Sequence, residues 1–404
     1  MSFVKHLECS RCGHAIPQSE ARNVCPDCQS PLLVRYNLHQ VKRHVKKTAL
    51  LDRPTDMWRY LEVMPVDGDE DIISLGEGYT PLLPLPRLGN TAHLRNLYIK
   101  DESLNPTGTF KARGLSAAVS MARKQGCKKL AIPSAGNAGG ALAAYGARAG
   151  LEVFIAMPAD TPSANIMECR MAGARLELVP GLIGDAAKRV NELVAAEGWF
   201  DISTLKEPYR LEGKKILGYE IAEQFQWKVP DVIVCPVGGG MALIGIWKAF
   251  NEMEELGWIT SKRPRMVAVQ SEGCAPIVKA FREASTTAEA WPKPKTFASG
   301  IRIPKPFGDS LILQALRESR GHALAVPDEG IYSAVQEITR HEGMFVCPEG
   351  AAGWAAIKHL SESGWIDADE TVVLLNTGAG LKYIDALNRF EKEHQPVAAG
   401  RNSG

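Results

Sequence analysis

The strongest constraint on the fold is an alternation that begins near Leu97 and runs to Leu375. Short apolar runs, four to six residues long, alternate with segments of helical period. The first series reads as a strand at 97–100, a helix at 111–125, a strand at 130–133 and a helix at 137–149. A strand at 153–157, a helix at 163–172, a strand at 175–179 and a helix from about 185 to 197 complete it. The second reads as a helix at 212–226, a strand at 232–237, a helix at 242–256 and a strand at 266–270. After a Pro-rich stretch at 292–306 come helices near 328–341 and 350–363, then a strand at 371–375. Apolar runs this short, separated by periodic helices, are buried parallel strands with helices on both faces. The fold class is therefore α/β, with two open-sheet domains.

Ahead of this pattern, residues 38–70 are polar and mixed, with a docking helix expected at 57–63. The 47 Lys and Arg nearly balance the 46 Asp and Glu, so no global charge points to nucleic acid or an anionic membrane surface. No apolar run approaches the roughly 20 residues that span a bilayer. The sequence starts Met1-Ser2-Phe3-Val4-Lys5-His6 without an apolar signal core, which gives a reducing cytoplasm as the expected compartment.

Four of the nine cysteines form two Cys-x-x-Cys knuckles, Cys9/Cys12 and Cys25/Cys28. A two-residue spacer lets both sulfurs of a knuckle approach one metal, and two knuckles complete a closed four-thiolate site. The expected occupant is a structural Zn²⁺ ion in a ribbon-like module over residues 1–37. Redox dithiols are the rival reading, but they are usually single and lie in a thioredoxin-like pattern that is missing here. Ribbons also bind nucleic acids, and 35–47 is basic, though a solvated linker or helix face accounts for those charges. The remaining cysteines, Cys127, Cys169, Cys235, Cys274 and Cys347, read as core residues.

In open parallel sheets, ligands bind beyond the carboxyl ends of the strands. Two Gly-rich turns fall at such places and open helices: Ser134-Ala135-Gly136-Asn137-Ala138-Gly139-Gly140 and Gly238-Gly239-Gly240-Met241-Ala242. Small residues let backbone N–H groups approach an anion, and the helix dipole favours negative charge. Neither turn has the ending of a nucleotide P-loop or the dinucleotide fingerprint. A third turn, Asn376-Thr377-Gly378-Ala379-Gly380, ends the last strand with a hydroxyl. Earlier, Asn105-Pro106-Thr107-Gly108-Thr109-Phe110 delivers Lys111 to the first turn of a helix. A lysine so placed normally projects into solvent, and each glycine turn alone is more often turn chemistry than a site. Together they supply an amine, two anion cradles and a hydroxyl, which makes pyridoxal phosphate one candidate ligand among several.

The segments NPTGTFKARG, SAGNAGGALAAYGARAG, PVGGG and NTGAGLK, in this order, resemble the fold-type-II pyridoxal-phosphate enzymes and, within them, the threonine synthases. The run from Glu207 to Lys215 also resembles a threonine synthase signature, and the cysteine module resembles that of several threonine synthase-like proteins. The likeness covers roughly 75–382. It implies a tryptophan-synthase-β-like fold, with 38–112 and 200–392 forming the large cofactor-binding domain. Residues 113–199 would form the small domain, and 393–404 a disordered tail. Lys111 is implied to be the covalent anchor of pyridoxal 5′-phosphate and the base that moves protons. Asn137 would meet the cofactor's 3′-hydroxyl and Thr377 its pyridine nitrogen. Gly238, Gly239, Gly240, Met241 and Ala242 would hold its phosphate. The turn Ser134, Ala135, Gly136, Asn137 and Ala138 would receive the substrate carboxylate, and Arg210 the substrate phosphate.

The implied reaction is a β,γ-replacement converting O-phospho-L-homoserine and water to L-threonine and phosphate. Three departures keep related chemistry open: Ala112 stands where threonine synthases usually carry aspartate, the all-glycine cradle is closer to threonine and serine dehydratases, and Ser203-Thr204-Leu205-Lys206-Glu207 before Arg210 lacks a clear Asn-Ser pairing. The alternatives are thus a β-eliminating or β-replacing relative, dehydratase-like or cysteate-synthase-like. A zinc-ribbon binding module on a degenerate fold is the non-enzyme alternative. The expected partner is a small amino-acid substrate, with neither nucleic acid nor membrane involved. Family members occur as monomers and dimers, so a homodimer stays open. No regulatory domain is expected after Lys382.

Overall fold

The computed structural model describes residues 2–19 and 21–394. The expected tail at 393–404 begins inside a helix, Ile384–His394, and its remaining residues lie outside the described ones. Two open sheets carry the fold. The larger has six strands in the order His322–Val326, Arg265–Ser271, Val232–Pro236, Thr371–Asn376, Asn96–Asp101, Leu82–Pro84. All its pairings are parallel except the last, where Leu82–Pro84 runs antiparallel along the edge. The smaller sheet is parallel throughout, in the order Arg175–Val179, Glu152–Pro158, Lys129–Pro133, Phe200–Asp201. Val232, Ile233, Val234, Val372, Val373 and Leu374 are fully buried, as central strands covered on both faces require.

Every element expected from the alternation is present, with ends displaced by at most three residues. The expected docking helix is a 3-10 segment, Met57–Val63, interrupted at Tyr60, whose backbone is not helical. Several elements carry weaker signals and were not anticipated: the edge strand His322–Val326 and the helices Leu38–His44, Pro276–Arg282, Asp309–Glu318 and Ile384–His394. His322–Val326 is a five-residue edge strand with two half-buried positions, so its apolar run is broken.

Two helices that matter for the site cross at backbone contact. They are Lys111–Lys124 and Tyr209–Gln224. A Cβ at Gly114 would lie 2.9 Å from the Arg210 carbonyl oxygen, and one at Gly213 would overlap the Arg113 carbonyl. Glycine at both positions is therefore what lets the helices close on one another. The crossing brings Arg113 and Arg210, both fully buried, to the middle of the protein.

The cysteine module is a three-stranded antiparallel sheet, with Val4–Cys9 between Ala15–Ile16 and Leu32–Tyr36. It shares the main core: Leu7, Cys25 and Val34 belong to the same buried cluster as Leu217, Ile221 and Phe250. The Tyr36 hydroxyl donates to Glu212 Oε2 at 2.8 Å, on the helix that carries Arg210. No helix among the described residues is long and apolar enough to cross a membrane.

Candidate active site

Lys111 is positioned by stitching between distant parts of the chain. In the turn before it, Thr107 and Gly108 both take positive φ, at 65° each. Asn105 fixes the entry to that turn: its Oδ1 accepts from the Gly78 amide at 3.0 Å and its Nδ2 donates to Glu102 Oε2 at 2.8 Å. The Phe110 amide then donates to the Thr377 carbonyl at 3.0 Å, and the Ala379 amide to the Gly108 carbonyl at 2.9 Å. These bonds tie the lysine turn to the end of strand Thr371–Asn376, which sets Lys111 and Thr377 side by side at one cavity.

That cavity measures about 300 Å³, at the lower end of the range typical of small-molecule sites. Lys111, Asn137, Gly238, Gly239, Gly240, Met241, Ala242 and Thr377 all line it. Gly240 adopts φ +76°, and helix Met241–Leu256 starts immediately after it. The first amides of that helix have no intrahelical acceptors and are available to an anion. A Cβ at Gly238 would collide with the Gly300 carbonyl and one at Gly240 with Ile312, so neither site tolerates a side chain. The 3-10 turn Ser299–Ile301, inside the Pro-rich stretch, packs over this cradle and contributes Gly300 and Ile301 to the wall.

The turn at 134–138 is organised differently. The Ser134 hydroxyl accepts from the Gly139 amide at 2.9 Å and the Gly136 amide at 3.2 Å, and donates to the Gly136 carbonyl at 3.0 Å. It holds the turn in shape. Gly136 has φ +143° and packs against Asn165, where a Cβ would clash. Asn137 lines the cavity; Ser134, Ala135, Gly136 and Ala138 form the turn behind it. The Asn137 side chain donates to the Tyr383 hydroxyl at 2.8 Å.

Arg210 lies behind the wall. Its Nη1 donates to the Ile202 carbonyl at 2.8 Å, while Nε and Nη2 have no partner among the described residues. Burial pulls its pKa down to about 10, which leaves it charged at neutral pH. Burial, and then the Arg210 charge, lowers the Lys111 amine to about 8. Lys214 is also buried at the cavity. It donates to the Phe110 carbonyl, and its amine lies 3.9 Å from the centre of the Phe110 ring. Burial and the neighbouring Lys111 hold Lys214 well below the ordinary lysine range. Two amines in the wall, Lys111 and Lys214, with the charged Arg210 buried behind them and a glycine cradle, make a site for an anion-rich ligand. An amine, an amide cradle and a hydroxyl in one cavity fit pyridoxal phosphate.

A family model for pyridoxal-phosphate dependent enzymes matches residues 73–378. Threonine synthase from Methanocaldococcus jannaschii is 36% identical over 395 residues, covering 98% of this chain and 97% of its own. The chain belongs to the threonine synthase family of pyridoxal-phosphate-dependent enzymes. A second threonine synthase, from Methanosarcina acetivorans, is 38% identical over 378 residues, covering 93% of this chain and 92% of its own. Among solved structures, the processed threonine deaminase isoform 2 of Solanum lycopersicum superposes with a TM-score of 0.67 at 22% identity. It covers 85% of this chain and 96% of its own. Maize serine racemase gives 0.65 at 20%, covering 78% and 94%. These two likenesses establish the fold, the fold-type-II architecture.

The cavity also holds residues that the sequence did not mark. Glu349, Tyr383, Lys214 and Phe110 all line it. Lys214 falls within the signature run 207–215, so that run was the available signal for it. Glu349 stands in the first turn of helix Pro348–Glu362, where an acid ordinarily serves only the helix dipole.

The four module cysteines are brought together as expected, with ligand atoms all within 4.8 Å of one another. Cys9 and Cys28 sulfurs are 3.4 Å apart, and Cys12 lies 3.7 Å from both Cys25 and Cys28. A tetrahedral zinc site with Zn–S bonds of about 2.3 Å places its sulfurs about 3.8 Å apart. The cluster fits that geometry, and its spacings far exceed the roughly 2 Å of a disulfide.

Proposed function

We infer that this chain is a pyridoxal-phosphate-dependent lyase acting as a threonine synthase, converting O-phospho-L-homoserine and water to L-threonine and phosphate. The observation that carries the reading is the grouping of Lys111, the Gly238–Gly240 cradle and Thr377 around one cavity, with the under-bonded Arg210 behind its wall and acting on Lys111. Bound pyridoxal phosphate would supply the electron sink that makes protons next to the substrate amine removable. Lys111 anchors it and then moves protons. An amine with pKa near 8 is partly neutral at neutral pH, so Lys111 can accept a proton and return it. The amides of Gly239, Gly240 and Met241 take the cofactor phosphate, and Asn137 and Thr377 fix the ring. The 134–138 turn orients the substrate carboxylate. Arg210, with two guanidinium nitrogens free, supplies charge for the phosphate that leaves.

Incubation of the holoenzyme with O-phospho-L-homoserine should release phosphate and L-threonine in equal amounts. Formation of a 2-oxo acid and ammonia from threonine or serine, with no phosphate release, would instead assign the site to the dehydratases. The all-glycine cradle favours that second reading, because it offers no side-chain donor to a second phosphate.

We further propose that the four cysteines hold one structural Zn²⁺. Because Tyr36 bonds Glu212 and the module shares the main core, losing the metal should loosen the helix that carries Arg210. Metal analysis should find about one equivalent of zinc in the wild type, and Cys9→Ser should abolish it and lower thermal stability while the cofactor still binds. Full cofactor occupancy with unchanged stability in that variant would show that the metal has no structural role.

A further inference from the structure

Glu349 is an exception among the acids of this protein. It is 3% exposed and lines the cavity, yet only one of its oxygens is used. Oε1 accepts from the Gly300 amide at 2.6 Å, and among the described residues no donor meets Oε2 in hydrogen-bond geometry, although the Tyr383 hydroxyl and the Cys347 thiol neighbour the carboxyl. No lysine or arginine among the described residues forms an ion pair with it, whereas the buried Glu102, Glu212, Glu220 and Glu252 are all paired, and the buried Glu77 and Glu207, without ion pairs, use both oxygens in hydrogen bonds. A buried carboxyl oxygen left without a partner costs roughly 1–3 kcal/mol. A fold with a saturated ion network elsewhere has no structural need for it. Glu349 lines a cavity built for a ligand.

We propose that Glu349 is a cofactor-contacting residue, whose Oε1 holds the roof turn at Gly300 while its Oε2 hydrogen-bonds the bound cofactor. The groups around it agree. Tyr383, which accepts from Asn137, neighbours it on one side. Cys347, whose sulfur lies 3.4 Å from the Thr377 hydroxyl, neighbours it on the other. Glu349 thus stands between the residues assigned to the two polar positions of the cofactor ring. Lys111 is the charged group that senses it across the cavity. Burial raises the Glu349 pKa above the ordinary carboxylate range, against the weaker pull of the Gly300 amide, Tyr383 and Cys347. Burial thus favours the protonated form, which can donate a proton to a hydrogen bond where a carboxylate cannot. The roof adds a mechanical consequence. The Gly300 carbonyl packs on Gly238 and its amide on Glu349, so one residue joins the phosphate cradle to the ring edge.

The proposal rests on the pyridoxal-phosphate reading of the cavity, and its test separates the two. Cofactor-free wild-type protein is titrated with pyridoxal phosphate, following absorption and equilibrium affinity; failure to load at all would remove the reading itself. Given loading, Glu349→Gln, which keeps a neutral donor, should retain the wild-type band and an affinity within about threefold. Glu349→Leu should lose about tenfold in affinity, the worth of one neutral hydrogen bond, and shift the band. Equal behaviour of the two variants, or a Leu variant altered only in melting temperature, would overturn the proposal. Should Glu349→Leu fail to fold, infrared difference spectra decide between cofactor-free and loaded wild-type protein. A protonated carboxyl band should move on loading and be missing from Glu349→Gln. A band that stays fixed on loading would mean that Oε2 holds only water, and would also overturn it.

Discussion

Arg113 and Arg210 sit on either side of the same helix crossing, both fully buried, and they are used in opposite ways. Arg113 is saturated. Its Nε and Nη2 donate to Glu102 at 2.6 and 2.8 Å, its Nη1 and Nη2 to Glu220 at 2.5 and 2.7 Å. Lys100 completes the cluster with a 2.7 Å bond to Glu220. Arg210 makes one side-chain bond, to a carbonyl, and keeps two nitrogens unpaired. The acid that acts on it most strongly, Glu207, spends its oxygens on the backbone amides of Tyr209 and Arg210. Desolvating a guanidinium is expensive, and the protein meets that cost fully in one place and leaves it unmet in the other. A charge that is buried, unpaired and next to a cavity is held for a ligand.

This contrast can be broken at four points. The largest effect is expected at the cavity itself. Lys111→Ala should lower turnover about ten-thousandfold, as loss of both an anchor and a proton-transfer group requires, and borohydride should no longer fix the cofactor to the chain. Retention of the borohydride label would move the anchor elsewhere, with Lys214 the nearest alternative. Next comes the saturated side. Arg113→Leu strands Glu102 and Glu220 without their cation and should destabilise the protein by about 3–5 kcal/mol in urea unfolding. A loss under 1 kcal/mol would mean that the network is ornamental.

The third point tests the asymmetry directly. Arg210→Leu removes a charge that has no carboxylate partner, so unfolding stability should stay within about 1 kcal/mol of wild type or rise. Its kcat/KM for O-phospho-L-homoserine should fall about a hundredfold, the worth of a charge-assisted bond to phosphate. The opposite pattern, a large stability loss with catalysis intact, would make Arg210 a second Arg113.

The two arginines also show what was readable in the sequence and what was not. Both lie in helices within three residues of a glycine, and no local pattern tells the saturated one from the unsaturated one. The helices, the central strands and the glycine turns were legible because period and turn chemistry are local properties. Lys111, Gly238–Gly240 and Thr377 stand in such turns, and the alternation already placed those turns at strand ends. Glu349 and Tyr383 stand in ordinary helical sequence, and only the bonds between 108–110 and 377–379 and the roof at Gly300 bring them to the cavity. The turn at 134–138 lies between these cases. Its position was legible, but that the Ser134 hydroxyl is spent on the Gly136 and Gly139 amides depends on backbone angles that the letters do not carry.

The smallest expected effect concerns pH: stability rises with pH in both regions, because each folded-state pKa is depressed, although the charged form is favoured at Glu220 and disfavoured at Lys111. Burial drives the Glu220 pKa up, but Arg113 and Lys100 outweigh it and hold the carboxyl at about 2, against an ordinary 4.5. The folded state therefore sheds that proton more readily than the unfolded one. The resulting stability is present above about 4.5 and is lost as pH falls toward 2. At Lys111 the ordinary amine value of 10.5 falls to about 8. Between those values the unfolded chain binds the proton and the folded one does not, so cofactor-free protein should gain stability as pH rises from 8 to 10.5. The gain is about 2 kcal/mol once contact of the half-buried amine with cavity water is allowed for. Urea unfolding of cofactor-free wild type and Lys111→Met across that range isolates it, because other groups titrate alike in both. Parallel curves would mean that the amine is already charged in the folded protein, and the poised base would have to be found elsewhere in the cavity.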